Sequence, residues 1–230
     1  MKVSVPGIVI LLLLASVGFA KKNESSGQKP KPPQTSVHKP TLIDGTAAVV
    51  GKTLITVEDA RFYRALHRYK EGLADALNVE LVDELKRTVQ KMIFEELVFE
   101  EMKNLRIEGG GKAEVEKALG AAKEKGRKEK WREILARFGK TEAEGVNRLV
   151  KSWQVEKFIQ KKVETLTPII TEAEIEKYYR QNQSRFKGED YLSLKQGIVL
   201  LLKRQRVEKG LEEWIRFLKE KYAVRNLLEG

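Results

Sequence analysis

The stretch VELVDELKRTVQKMIFEELVFEEMKNL, residues 79 to 105, decides the fold class. Val82, Leu85, Val89, Met92, Ile93 and Leu97 recur mainly at spacings of three and four, which stacks them on one face of an α-helix. A second series, Phe94, Val98, Met102 and Leu105, falls on a different side, so the C-terminal half of this helix is apolar on two faces. Working outward from it predicts more helices. Upstream, Thr56 and Asp59 form a capping box, and Phe62, Leu66, Tyr69 and Leu73 follow at helical spacing. Before that box, Ala47 to Val50 and Leu54 to Ile55 are short apolar strands around Gly51-Lys52-Thr53, a hairpin.

Downstream, Gly109-Gly110-Gly111 breaks the pattern. Val115 with Leu119, then Trp131, Leu135 and Phe138, mark two shorter helices joined by a basic segment, and Gly139 ends the second. Capping boxes at Thr141 to Glu144 and Thr171 to Glu174 open two further helices, the first stopped near Pro168. The second carries Ile175, Tyr178 and Tyr179 and runs out by Phe186 and Gly188. A last long helix is expected from about Leu194 to Lys221. The tail Ala223 to Leu228 is apolar enough to be a strand, and it is expected to pair with the hairpin, because two strands alone are marginal. The fold class is mostly α with one small sheet.

Composition narrows the function classes. The 230 residues are 41% hydrophobic and 33% charged, with a net charge of +11 that favours acidic partners over basic ones. With no Cys, the chain has no disulfide, thiolate metal site or Cys nucleophile. His38 and His67 are its only histidines, and a lone His of this kind is more often a surface or core residue than a catalyst. No catalytic residue, metal ligand or cofactor site is assigned.

Residues 1 to 20 read as an export signal: Lys2, an apolar run from Ile8 to Leu14, then Gly18 and Ala20 at the positions a signal peptidase reads. Cleavage after Ala20 would leave Lys21 as the mature N-terminus, and retention of the segment as an anchor is the alternative. Residues 21 to 40 hold four of the six prolines and little to bury, the composition of a flexible linker. The folded domain is expected over residues 41 to 230.

Taken in order, AAVVGKTLITVED (47 to 59), MIFEELV (92 to 98), FGKT (138 to 141) and ITEAEIEKYY (170 to 179) resemble the SurA-type periplasmic chaperones, a family related to PrsA and PpiD foldases. The resemblance covers most of residues 45 to 228. This chain has Gly51-Lys52 where the family usually has Asn-Gly, and Arg106 where Gly commonly closes the long helix. The resemblance implies a multi-helix chaperone domain with a hairpin paired to a C-terminal strand, placed in the periplasm. In such proteins a parvulin-type prolyl isomerase domain usually separates the short Tyr-Tyr helix from the final helix. Here only a turn around Gly188-Glu189-Asp190 lies between Phe186 and Tyr191, far short of the roughly 50 residues a domain needs. The resemblance therefore implies the chaperone module without the enzyme.

A chaperone of this kind needs exposed apolar area inside a charged rim. The second face of the long helix, Phe94, Val98, Met102 and Leu105, is the candidate substrate-binding surface, with burial under the final helix or a partner protomer as the bland alternative. Trp153, Phe158 and Trp214 read as core. The basic run Lys123 to Arg132 is interleaved with Glu124 and Glu129, a solvated surface, and no nucleic-acid partner is expected. Expected partners are unfolded or nascent exported polypeptides, a second copy of the chain being an alternative, with membrane contact peripheral if any. The competing reading is a scaffold that binds one folded envelope partner or dimerises through the same helices.

Overall fold

The computed structural model describes residues 45–73, 82–107, 109–186 and 188–228, so the expected signal segment and the linker lie outside the described residues. Three strands, β1 (Thr46–Val50), β2 (Thr53–Thr56) and β3 (Val224–Asn226), form one antiparallel sheet in the order β2-β1-β3. Val50 faces Thr53 across the hairpin and Val224 on its other side. Gly51 takes the first turn position at φ 58°, the Gly-first pattern of a two-residue hairpin. Its N–H donates to the carbonyl of Tyr222 at 2.8 Å, and Leu227 N–H donates to Ala47 at 2.9 Å. The two ends of the described chain are thus stitched together, as the tail's apolar pattern predicts.

The helices follow the capping signals. Thr56 and Asp59 close a reciprocal box at 3.0 and 3.1 Å and open α1 (Val57–Glu71), which Gly72 ends at φ 79°. Leu73 lies past that cap and is exposed, so it leaves the stripe that Phe62, Leu66 and Tyr69 bury. The long helix is α2 (Val82–Asn104). Arg106 follows it in the left-handed region at φ 53°, with Ile107 N–H on Met102 at 2.9 Å and Arg106 N–H on Lys103 at 3.0 Å. A non-glycine residue in this conformation costs about 1–2 kcal/mol, so the same cap is built here with strain that a glycine would avoid.

Next come α3 (Lys112–Ala122), a kinked turn at Lys123–Arg127, α4 (Lys128–Arg137), α5 (Glu142–Leu166), α6 (Glu172–Gln181) and α7 (Tyr191–Lys221). The final helix begins three residues before the expected Leu194, because the Asp190 carboxylate accepts the Leu192 N–H at 3.0 Å and caps it. Among the described residues no helix is long and apolar enough to cross a membrane.

Two apolar cores result. One gathers the sheet, α1, α2, the later part of α5 and the end of α7; Phe158 and Trp214 pack against it with rings 6.0 Å apart. The other joins α1, α3, α4 and the first half of α5 around Trp131, with Trp153 partly buried at its edge. Helix α6 and the first half of α7 contribute to neither core. Helix α6 buries only Ile175, and it meets α7 through Glu172 with Lys195 at 2.7 Å, Tyr191 with Glu172 at 2.6 Å, and the pair Glu174 and Arg206.

Because β3 both completes the sheet and carries Leu228 onto the first core, removing residues 223 to 230 should lower the melting temperature by roughly 5 to 10 °C. An unchanged thermal melt would mean that the third strand contributes nothing to the fold.

Candidate functional site

The four residues expected to form an open surface do not share one environment. Val98 is fully buried, Met102 is 4% exposed, and Phe94 is partly buried against the first core. Leu105 is 52% exposed just beyond the end of α2. The expectation of an open second face is therefore corrected: α1, the sheet, α5 and the end of α7 all pack on α2, and a helix enclosed on several sides must be apolar on several sides. Val82, placed on the main stripe by periodicity, is exposed at the helix start.

What α2 holds in its place is polar. Glu95 is 5% exposed, yet three donors converge on its carboxylate: Tyr63 Oη at 2.6 Å from α1, and Arg148 Nη2 at 2.8 Å and Ser152 Oγ at 2.9 Å from α5. One turn of α5 supplies two of them, because residues 148 and 152 are four apart and share a face. Arg148 also lies over the Tyr63 ring, 4.6 Å from its centroid. The neighbouring Glu96, 6% exposed, pairs with Lys151 of α5. A third buried acid, Glu101, takes Lys221 Nζ and Tyr222 Oη at 2.6 Å each, tying α2 to the last turn of α7.

Burial and charge set the protonation states. Burial raises the Tyr63 phenol far above its ordinary value, and the charge and hydrogen bond of Glu95 raise it further, so the phenol only donates. Burial pushes the Glu101 carboxyl up, but hydrogen bonds from Lys221 and Tyr222 outweigh it and hold the group below the usual range. Burial lowers the Lys151 ammonium, with Glu96 opposing. His67 stacks on Tyr63 with centroids 4.1 Å apart, and its Nε2 lies 3.4 Å from Ser152 Oγ. Burial, then the charges of Lys91, Lys70 and Arg148, hold it well below 6.5, so the ring is neutral.

Ser152, His67 and Glu95 invite comparison with a nucleophilic triad, and the connectivity rejects it. A triad needs the acid on the far nitrogen of the His and the Ser proton aimed at the His. Here the Ser152 hydroxyl donates to the carboxylate itself, which leaves the oxygen without a base. The cluster is a structural junction. Among the described residues no group of three or more His, Asp or Glu side chains is placed to hold a metal ion. Glu95 and Glu96 are sequence neighbours on a helix and point to different sides, so the sequence alone does not single either out. The available signal was Arg148, Lys151 and Ser152 at spacings of three and four on a facing helix, which names donors but not their acceptor.

Exposed apolar side chains are scattered over the surface, among them Leu54, Leu105, Phe217 and Leu227, and several lie on α7. On α7, Leu200, Val207, Leu211 and Leu218 recur at spacings of seven, four and seven on one stripe. The last three are buried, whereas Leu200 is 62% exposed, so the stripe continues past the end of the surface that covers it. Leu192 in the first turn of α7 and Ile169 in the loop before α6 are also largely exposed. No family model, no curated protein and no solved structure matches the chain.

The packing around α2 and around His67 of α1 makes two testable outcomes. Changing Phe94 and Met102 together to Ser should lower the melting temperature sharply, since truncating a buried Met alone costs about 2–5 kcal/mol; a variant that melts like the wild type would mean this face is open. The second concerns acid. As pH falls below 6.5 the unfolded chain binds a proton at His67 that the folded chain refuses, so stability should fall by up to about 1.4 kcal/mol per pH unit. His67→Gln should flatten the curve between about pH 7 and pH 5 in denaturant titrations, and identical slopes for the two proteins would contradict a neutral buried His67.

Proposed function

We propose that this chain is an exported chaperone that holds unfolded or outer-membrane-bound polypeptides by apolar contact, without prolyl isomerase activity. The single observation that carries the reading is the apolar stripe of α7, buried at Val207, Leu211 and Leu218 and open at Leu200, with Leu192 exposed on the same half of the helix. A large aliphatic side chain, when fully buried by a client, contributes roughly 1.5–3 kcal/mol, so a few such positions suffice for weak, sequence-tolerant binding. Charged side chains on the same helix, among them Lys203, Arg204 and Arg206, supply the rim that keeps such a surface in solution.

The way the overhang is held supports the same reading. Outside both cores, α6 and this half of α7 bury only Ile175 and Ile198, and the exposed polar pairs that join them individually contribute little. The backbone N–H of Thr171, then Arg206 and the Thr171 hydroxyl, hold the Glu174 carboxyl down to about 2, so this joint persists well into the acid range. An arm joined this way can shift to fit different clients without disturbing either core. The client surface lies on α7 in this reading, not on the enclosed face of α2. The order of helices, the expected signal segment and the short Phe186 to Tyr191 connection agree with the resemblance to SurA-type chaperones and with the missing isomerase domain.

Replacing Leu192 and Leu200 with Ser should leave the melting temperature within about 2 °C of wild type, because both are exposed, and should abolish suppression of aggregation of several unrelated clients. Full retention of that activity would sink the assignment of the arm. A single stoichiometric folded partner, with no effect on aggregating clients, would favour a scaffold. No acceleration of prolyl cis-trans conversion is expected from either protein.

A further inference from the structure

Between α1, α3 and α5 lies a cavity of about 190 Å³ that borders the polar junction at Ser152 and has no part of α6 or α7 in its lining. Its walls are apolar: Val115, Leu119 and Ala122 from α3, Leu149 and Trp153 from α5. The Trp153 wall is fixed by the glycine loop. Gly111 sits at φ 102°, and a Cβ there would come within 2.2 Å of the indole, so only glycine lets the backbone lie against the ring. Gln154 Nε2 donates to the Gly110 carbonyl at 2.9 Å and holds the loop in place.

The polar lining is asymmetric. His67 and Ser152 face the cavity from the side of the Glu95 junction, and Lys70, Arg127 and Glu114 also line it. Arg127 is fixed, its Nη1 donating to the Tyr69 carbonyl at 2.6 Å and its guanidinium 5.1 Å from the Tyr69 ring. Lys70 is loosely held, 3.6 Å from Glu156 with both side chains about half exposed. Lys70 and Arg127 thus bring two cations to the lining against Glu114, with Glu156 meeting Lys70 from outside it, so a carboxylate entering the cavity has two cationic partners within its walls. An apolar cavity near 150 Å³ accommodates benzene, so this one has room for a single ring with a short tail.

We propose that the cavity between α1, α3 and α5 binds a ring-sized apolar group bearing a carboxylate a few bonds away, the ring among Leu119, Leu149 and Trp153 and the carboxylate at Lys70 and Arg127. This chemistry is found in free aromatic acids and in the C-terminal aromatic residue of a polypeptide. The proposal stands apart from the client surface on α7: either can fail while the other holds.

The test is calorimetric titration of the full chain with 3-phenylpropionate, its neutral amide, and a short peptide ending in Phe with a free or amidated C-terminus. Saturable one-to-one binding of the acid is expected, with the amide about tenfold weaker or worse. Ala118 lines the cavity yet is solvent-exposed on α3, so Ala118→Phe should block binding without lowering the melting temperature. Lys70→Met should weaken the acid and leave the amide unchanged. Binding of the peptide acid as well as the free acid identifies chain ends as a source, and binding of the free acid alone points to small molecules. No binding to the wild type, equal binding of acid and amide, or undiminished binding by a folded Ala118→Phe variant would overturn the proposal.

Discussion

The carboxylate of Glu95 is the constraint on which the rest of the structure depends. A buried charge without partners is costly enough that it would shift its protonation or open the fold. Three donors from two helices therefore have to arrive together, and they fix the relative depth and rotation of α1, α2 and α5. Apolar packing alone tolerates many near-equivalent arrangements, whereas a carboxylate that needs Tyr63, Arg148 and Ser152 within hydrogen-bond distance accepts few. Such a junction adds little net stability over an apolar one of the same shape, but losing one partner costs about 3–5 kcal/mol. Once the three helices are set, both cores follow, because α1 and α5 each contribute to both.

The sheet and the third buried acid serve the same end at the other side of α2. Glu101 receives Lys221 and Tyr222, and the carbonyl of Tyr222 receives the Gly51 N–H, so the last turn of α7 is fastened to helix and hairpin at one point. That anchor lets α7 be long. Its C-terminal half is covered along Val207, Leu211 and Leu218, while the N-terminal half extends beyond the body with only Ile198 buried. One helix thus joins a fixed body to an arm on which Leu192 and Leu200 are open.

Much of the fold was legible in the sequence because its signals are local. Thr56, Thr141 and Thr171 each announce a helix through the residue three positions on, and the hairpin is announced by Gly51 between apolar pairs. Pairing of the tail was legible by exclusion, since an isolated hairpin would not persist. The candidate site was not legible, for a physical reason. Periodicity reports how many faces of a helix are apolar, but not whether the second is covered, and Val98 and Met102 look the same in sequence whether they meet solvent or five neighbouring elements. The Glu95 junction was hidden for a related reason: its partners lie 32 to 57 residues away, and no local pattern ties them to one acid. Leu200 was equally ambiguous, because its stripe is continuous with Val207 and only the end of the body leaves it bare.

Native-state hydrogen exchange followed residue by residue tests the central claim most directly, that a rigid junction around Glu95 carries a more loosely held arm. Amides of α2 from Val89 to Val98, and of α5 beside Arg148 and Ser152, should exchange only through global unfolding and be the slowest in the chain. Those of α6 and of α7 from Leu194 to about Arg204 should exchange through smaller openings, with a markedly lower free energy. Equal protection along the whole of α7 and across α2 would contradict the division between body and arm, and fast exchange around Glu95 would contradict the junction itself.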